Sequence, residues 1–371
     1  MKVTLSLTHN CNLACRYCYA GKKARKDMTS ETAFKAVDFA LSEAKNGRPV
    51  HINFFGGEPL LCLGLMKQVT AYAKRSAAEL GKTVSFAITT NGTLLGNAAL
   101  EFLGEDEVDL CISLDGPAEV HNRHRVYADG KGSFECVVRN LKKALAVLPA
   151  VQVNAVYGPS SVMALPEIVD LFVELGVPTI HLNMDIMTKW NAAAIEALEP
   201  AFEQVADRYI YCYERGEELA VNVMDGKALL FIKGGYEAHD CCGMGETEIG
   251  IAPSGNIYAC ERFIGQDDDP KFALGNIHTG VDLKKRCQIV SMRGNVNREC
   301  SNCTHRLYCM NWCGCSNFHM TGFSNQTSAA SCAGERAAIG AAKRVLKTLA
   351  SNDLYIDHLM QYMQKECCAI H

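Results

Sequence analysis

The sequence predicts an α/β chain: a partial (β/α)6 barrel over residues 1–225, a cysteine-rich domain over 226–340 and a helical tail over 341–371. Three observations carry this reading. Short apolar runs alternate with longer stretches of helical periodicity through the first part of the chain, as parallel strands joined by crossover helices do. Polar clusters fall at the C-terminal ends of those runs, the rim where (β/α) barrels gather their chemistry. Beyond the barrel the composition shifts to cysteine. A doubly wound sheet is the alternative; it would place a ligand at a switch point, and no G-x-G-x-x-G fingerprint marks one.

Taken in order, Val3–Thr8 is the first expected strand and leads into Cys11-Asn12-Leu13-Ala14-Cys15-Arg16-Tyr17-Cys18. A helix should open near Thr29-Ser30-Glu31, whose hydroxyls supply an N-cap, with Phe34, Val37 and Leu41 on one face. His51–Phe55 is the second strand and ends at Gly56-Gly57; a long helix follows and stops at Gly81. Val84–Thr89 and Asp109–Leu114 are the third and fourth strands, and Phe134, Val138, Leu141 and Leu145 form a helix face. Val151–Val156 and Thr179–Asn183 are the fifth and sixth strands, separated by a helix over Pro166–Leu175 that Gly176 closes. Asn191–Glu217 reads as one long helix, and Asp225–Gly235 leads into the cysteine-rich region. There Ile249–Ala252, turning at Pro253-Ser254-Gly255-Asn256 and returning through Ile257–Cys260, reads as a β-hairpin.

Composition narrows the function. With 371 residues, 48% of them apolar, the chain should form a large α/β unit and a smaller one. A net charge of -4 argues against nucleic acid or a membrane surface as partner. The chain passes from Met1-Lys2 straight into a strand without a signal peptide, and no apolar run is long enough for a membrane span. Nineteen cysteines in that context mean ligands or redox chemistry in a reducing cytoplasm, that of an anaerobe, rather than a disulfide framework.

Three thiols within eight residues suit an iron–sulfur cluster, which normally takes four; a cube on Cys11, Cys15 and Cys18 keeps one iron open. A zinc site would want a second pair of ligands. At the next strand end, Gly56 and Gly57 permit close backbone approach, Glu58 offers a carboxylate and Pro59 holds the turn. Spacing C-x3-C-x2-C followed by Gly56-Gly57-Glu58-Pro59 resembles the radical S-adenosylmethionine (SAM) superfamily. The resemblance implies that the open iron holds the amino and carboxylate groups of SAM, with Gly57 and Glu58 toward the amino group. Ser113-Leu114-Asp115-Gly116-Pro117, then His121, Asn122 and Arg125, resembles the fourth-strand pattern of SPASM-type radical SAM maturases, with Asn122 where Asp is common. It implies Arg125 near the SAM carboxylate, Ser113 near the ribose or carboxylate, Asn91 and Asn154 orienting SAM, and Tyr17 on the adenine.

The C-terminal cysteines follow as Cys242, twelve residues, Gly255, four residues, Cys260, then Cys300-x2-Cys303-x5-Cys309-x3-Cys313 and finally Cys332. This resembles the seven-cysteine SPASM signature. It implies two auxiliary clusters, one on Cys300, Cys303, Cys309 and Cys332, the other on Cys242, Cys260 and Cys313. The latter takes either Cys241 or an open iron that could bind a substrate thiolate. Cys287, Cys315, Cys367 and Cys368 fall outside the signature. The expected cofactors are therefore three [4Fe–4S] clusters and SAM. The implied reaction is reductive cleavage of SAM to a 5′-deoxyadenosyl radical that modifies a peptide or protein, as in crosslinking of a ribosomal peptide. Glu261 beside Cys260 is the candidate base. Sulfatase-maturing relatives carry Asp there, and formylglycine formation on a sulfatase is the alternative function. A zinc or electron-transfer protein is a distant third. Expected partners are the peptide or protein substrate and an electron donor such as flavodoxin or ferredoxin; because the chain begins at its first strand, a leader-peptide recognition module is expected to be either absent or a separate protein.

Overall fold

A computed structural model describes residues 1–45, 47–237, 240, 242–292 and 297–370, with side chains through residue 363. Its strands are β1 (Lys2–Ser6), β2 (Val50–Phe55), β3 (Val84–Thr90), β4 (Val108–Ser113), β5 (Val151–Tyr157), β6 (Thr179–Met184), β7 (Ala220–Val221), β8 (Glu248–Ile251), β9 (Asn256–Tyr258), β10 (Ala273–Asn276) and β11 (Gly280–Val281). The first six are the six expected strands within two residues at either end. The chain divides into two compact units, Met1–Ser113 with His124–Val151 and Gly243–Arg293, and Leu114–Arg123 with Gln152–Cys242 and Gly294–His371.

In the first unit β1 to β4 are parallel neighbours. Val3, Thr4, Leu5 and Ser6 are all buried, the mark of a central strand covered on both faces. What covers its second edge comes from far along the chain. β8 pairs with β1 in parallel, from Lys2 opposite Glu248 to Leu5 opposite Ile251. The expected hairpin is present, with β9 antiparallel to β8, and β10 and β11 continue that meander. Gly255 turns the hairpin at φ +86°, where any side chain would also meet Ile277. Buried Ile249, Ile251, Ile257 and Tyr258 are the apolar surface that β1's open edge would otherwise lack. The helix Ser30–Glu43 begins as read, Thr29 Oγ1 accepting from Thr32 N at 3.1 Å.

The second unit carries β5, β6 and β7, parallel neighbours in that order. The single helix expected over Asn191–Glu217 is two, Ala192–Glu196 and Leu198–Glu214. Pro200 explains the break: it has no N–H for the Glu196 carbonyl, so the ladder restarts at Leu198. The last helix, Asp353–Ile370, docks through a buried polar cluster. Asp225 accepts from Tyr209 Oη and, at 2.6 Å, from Val221 N. His358 sets Nε2 3.0 Å from Asp225 Oδ1 and Nδ1 3.0 Å from Glu218 Oε1. Only the imidazolium donates at both nitrogens. Burial opposes that charge, and Asp225 and Glu218 outweigh it, holding the His358 pKa above its ordinary value. Among the described residues no helix is long and apolar enough to cross a membrane.

The His358 contribution has a fixed sign. Because the folded pKa is raised, its stabilisation is complete below the unfolded value near pH 6.5 and disappears as pH rises through the folded value. His358→Gln should cost on the order of 3 kcal/mol on the acid side and flatten the fall above it. Thermal melts of wild type and variant between pH 6 and 9 check this; parallel curves would show that the pair is neutral.

Candidate cofactor site at the cysteine loop

The cysteine loop leaves β1 through Thr8, which pairs with Asp27 in an antiparallel bridge and donates its hydroxyl to that carboxylate. The same hydroxyl accepts from Asn10 N at 2.9 Å, turning the chain into the loop. From there residues 13–16 lie against the segment after β4: Leu13 bridges Tyr127, Ala14 N donates to Val126 O at 2.7 Å, and Arg16 N donates to His124 O at 3.1 Å. Leu13 is the buried anchor, whereas Cys11, Cys15 and Cys18 are all partly exposed.

Donors approach two of the three sulfurs. Cys11 Sγ accepts from Leu13 N at 3.4 Å and from Asn91 Nδ2 at 3.7 Å. Lys23 Nζ is 3.0 Å from Cys18 Sγ. Burial works against the Lys23 charge, but Cys18, then Cys11 and Cys15, raise its pKa, so one ammonium acts on all three thiols. Burial pushes the Cys11 thiol up, so its ligand form needs a cation to displace the proton. Among the described residues no three His, Cys, Asp or Glu side chains converge as the ligands of a single metal ion. The fit to a cluster rests on three thiols in one loop, with N–H donors aimed at the sulfurs of Cys11 and Cys18, features that hold and tune iron–sulfur centres.

Gly56 and Gly57 make their close approach to this loop's own backbone. A Cβ on Gly56, at φ +130°, would stand 2.5 Å from Thr8 O, and one on Gly57 2.1 Å from Asn10 O. In their place run two hydrogen bonds, Gly57 N to Thr8 O at 2.7 Å and Glu58 N to Asn10 O at 2.9 Å. Glu58 is fully buried. Its carboxylate accepts from Leu60 N at 3.0 Å, Thr90 Oγ1 at 2.7 Å and Asn91 N at 2.8 Å. Burial raises its pKa against the pull of those donors. Pro59 opens the short 3-10 helix Pro59–Cys62 that Glu58 caps.

Asn91 is the hub of a side-chain network. Its Nδ2 donates to Asn12 Oδ1 at 2.9 Å, its Oδ1 accepts from Thr93 N at 3.0 Å, and Asn12 Nδ2 donates to Thr93 Oγ1 at 2.7 Å. Asn12, Thr93 and Lys23 were not singled out from the sequence. Asn12 lies inside the cysteine motif and Thr93 follows Asn91-Gly92, so both carried a positional signal. Arg125 is buried with its guanidinium 5.3 Å from the Tyr17 ring centroid, and His124 lies 5.5 Å from the same ring. Ser113 ends β4 and is buried. Asn154, in the second unit, accepts from Asn183 Nδ2 at 2.6 Å. In that unit Asp115 and His121 close on each other, Asp115 N donating to His121 Nδ1 at 3.2 Å.

The hairpin that covers β1 delivers Cys260 and Glu261 to the first unit. Cys260 Sγ is 3.2 Å from Glu261 Oε2. Gly250 leaves room for this turn, since a Cβ there would meet Glu261 Cα at 2.8 Å. The following residues pack on the cysteine loop: a Cβ on Gly21 would stand 2.5 Å from Gln266 Cγ. Burial raises the Tyr19 phenol well above its ordinary range, and Glu261 adds to the effect, which places that carboxylate beside the end of the loop.

In the second unit Cys332 lies within electrostatic reach of both Cys300 and Cys309, and Cys303 within reach of Cys300. Burial raises the Cys300 thiol, with Cys332 and Cys303 adding; burial pushes Cys309 up to about 12, with Glu335 and Cys332 adding and Lys227 opposing. Cys313 Sγ lies 3.7 Å from the buried Cys315 Sγ. Cys242 and Cys313 belong to the second unit and Cys260 to the first. Cys241 lies outside the described residues, as do the side chains of Cys367 and Cys368.

Gly57→Ala tests the clasp. Pushing Asn10 aside should cost about 1–3 kcal/mol and strip the iron held by the first loop, read by melting and iron analysis. Gly64→Ala, with no atom within 4 Å of its added Cβ, is the control and should leave both unchanged. Equal behaviour of the two variants would remove Gly57 from the account.

Residues 5–172 match the Radical SAM superfamily. An uncharacterised protein of Methanocaldococcus jannaschii is 30% identical over 180 residues, 48% of this chain and 61% of that protein's length. Over longer spans, mycofactocin maturase MftC of Mycolicibacterium smegmatis is 27% identical over 331 residues, covering 85% of this chain and 78% of its own. A serine-type anaerobic sulfatase-maturating enzyme of Klebsiella aerogenes is 24% identical over 330 residues, 82% and 76% of the two chains. The solved structure of anSMEcpe with bound AdoMet and Cp18Cys peptide shares the fold, with a TM-score of 0.81 at 20% identity over 95% of this chain and 99% of that one. Motif, strand order and relatives agree on the first part of the chain: residues 5–172 carry a Radical SAM superfamily domain.

Proposed function

We propose that this protein is a radical SAM/SPASM enzyme that modifies a peptide or protein, in its main reading a maturase that crosslinks a ribosomal peptide. The observation that carries the reading is the packing of the Cys260–Gln266 turn on the Cys18–Gly21 loop, shown by the Gly21–Gln266 approach. It brings the turn that follows Cys260 and Glu261 against the residues that follow the first three thiols, within one unit. The names of the maturase and sulfatase-maturating relatives support a peptide or protein substrate.

Cys11, Cys15 and Cys18 would hold the first cluster. Bound together, cluster and SAM supply a carbon-centred radical able to abstract hydrogen from an unactivated carbon. The chain's own residues supply the rest. Glu58 and Asn91 keep the cysteine loop against the ends of β2 and β3, where the Gly56–Gly57 backbone docks on Thr8 and Asn10. Arg125, held over Tyr17, offers positive charge to a carboxylate, with Ser113 at the neighbouring strand end and Asn154 a further orienting amide. Glu261, partly exposed beside Cys260, would accept a proton from the substrate. Cys300, Cys303, Cys309 and Cys332 suit one auxiliary cluster, and Cys242, Cys260 and Cys313 a second, completed by Cys241 or by a substrate thiolate. An electron donor such as flavodoxin or ferredoxin, and a separate leader-recognition protein, complete the proposal. Formylglycine formation on a sulfatase is the second reading, favoured by the Klebsiella aerogenes relative.

Two variants test this. Cys11/Cys15/Cys18→Ala should abolish 5′-deoxyadenosine formation with dithionite and SAM, and retained cleavage would sink the assignment. Glu261→Gln should keep SAM cleavage yet lower product on the order of 100-fold, measured by mass change in a peptide encoded beside the gene and in a sulfatase-derived peptide. Unchanged product yield would move the base elsewhere.

A further inference from the structure

In the second unit an ion pair between a buried lysine and a partly exposed glutamate straddles one cysteine and shares a helix with another. Lys227, on the helix Asn222–Lys233, is buried with its side chain 6% exposed. Its Nζ donates to Glu335 Oε2 at 2.7 Å and to Tyr308 O at 2.8 Å. The same Glu335 oxygen accepts from Met310 N at 2.6 Å. Tyr308 and Met310 flank Cys309 on either side, so the pair grips the backbone immediately before and immediately after that thiol. Glu335 also sits three residues after Cys332 on the helix Ala329–Thr348, one turn away on the same face. Aromatic packing steadies the arrangement: the Tyr236 ring centroid lies 5.3 Å from Lys227 Nζ, and the Phe231 and Tyr308 rings pack tilted with centroids 4.6 Å apart.

A buried ion pair is a weak source of stability, because desolvation offsets much of its attraction. This one instead ties the segment around Cys309 and the helix that bears Cys332 to Lys227, 81 residues before Tyr308 and 108 before Glu335. We propose that Lys227 and Glu335 are positioning residues that set the separation of Cys309 and Cys332 and so preorganise the auxiliary cluster site in this unit. The inference rests on reading Cys300, Cys303, Cys309 and Cys332 as one ligand set. Residues that orient metal ligands typically change metal affinity by about 10–100-fold when removed.

Iron retention reads this without recourse to catalysis. In full-length protein carrying Cys11/Cys15/Cys18→Ala, anaerobically reconstituted, iron per chain and its release to a chelator are measured alongside far-UV circular dichroism. Adding Cys300/Cys303/Cys309/Cys332→Ala should remove about four irons, one cube's worth. Adding Lys227→Met instead should lose the same four, or release them at least about tenfold faster, with helical content unchanged, and Lys227→Arg should restore them. Should Lys227→Met fail to fold, Glu335→Gln, which keeps an oxygen for Met310 N, decides by the same release rate. If the four-cysteine variant loses iron while Lys227→Met and Glu335→Gln hold and release it like the parent, the positioning role is overturned. If the four-cysteine variant itself keeps its iron, the underlying ligand assignment fails instead.

Discussion

One buried carboxylate holds the cysteine-loop region together. Glu58 accepts from the backbone at Leu60 and Asn91 and from the Thr90 hydroxyl, while its own N–H donates to Asn10 O in the cysteine loop. A carboxylate sealed from water is costly unless its oxygens are hydrogen-bonded, and here three donors from two strand ends meet it. That satisfaction is possible only because Gly56 and Gly57 let the strand-end backbone run against Thr8 and Asn10. Any side chain at Gly57 would drive the two loops apart and leave Glu58 partly unsatisfied. The ordering of the Asn91, Asn12 and Thr93 amides and hydroxyls follows from the same contact, and Cys11 inherits its position from them.

This arrangement changes how the strand-end motif is understood. Glycine at 56 and 57, and a carboxylate at 58, read naturally as ligand contacts when only the sequence is in hand. The geometry shows a prior role: these residues dock one loop on another, and whatever they offer a ligand is offered from an edge already made rigid. Arg125 shows the same economy, its guanidinium fixed over Tyr17 while Tyr17 itself stands between two of the three cysteines. In each unit candidate ligand cysteines neighbour polar contacts, Asn91 and Lys23 at Cys11 and Cys18 in one and Lys227 and Glu335 around Cys309 in the other.

The six parallel strands were legible because each is a short apolar run ended by a polar or glycine-bearing turn, a local signal. Thr29 as a cap and Gly176 as a stop were legible for the same reason. The pairing of β8 with β1 was not: it joins residues some 245 positions apart, and nothing local in Ile249–Ile251 distinguishes a hairpin edge facing solvent from one closing a parallel sheet. Pro200 did carry the signal for a helix break, and the apolar periodicity on either side masked it. Lys23 escaped notice because a lysine in a basic stretch reads as solvated; only the fold shows its ammonium against Cys18. Asn12 and Thr93 look like loop residues until their amide and hydroxyl are seen to bond each other across the site.

On the proposed reading, thiols on both units hold iron–sulfur clusters rather than single metal ions. Iron, acid-labile sulfide and zinc measured together on wild-type protein purified without oxygen test it most directly. The account predicts about twelve irons with equivalent sulfide per chain, four to each of three cubes, and no stoichiometric zinc. Stoichiometric zinc with iron near zero would contradict it.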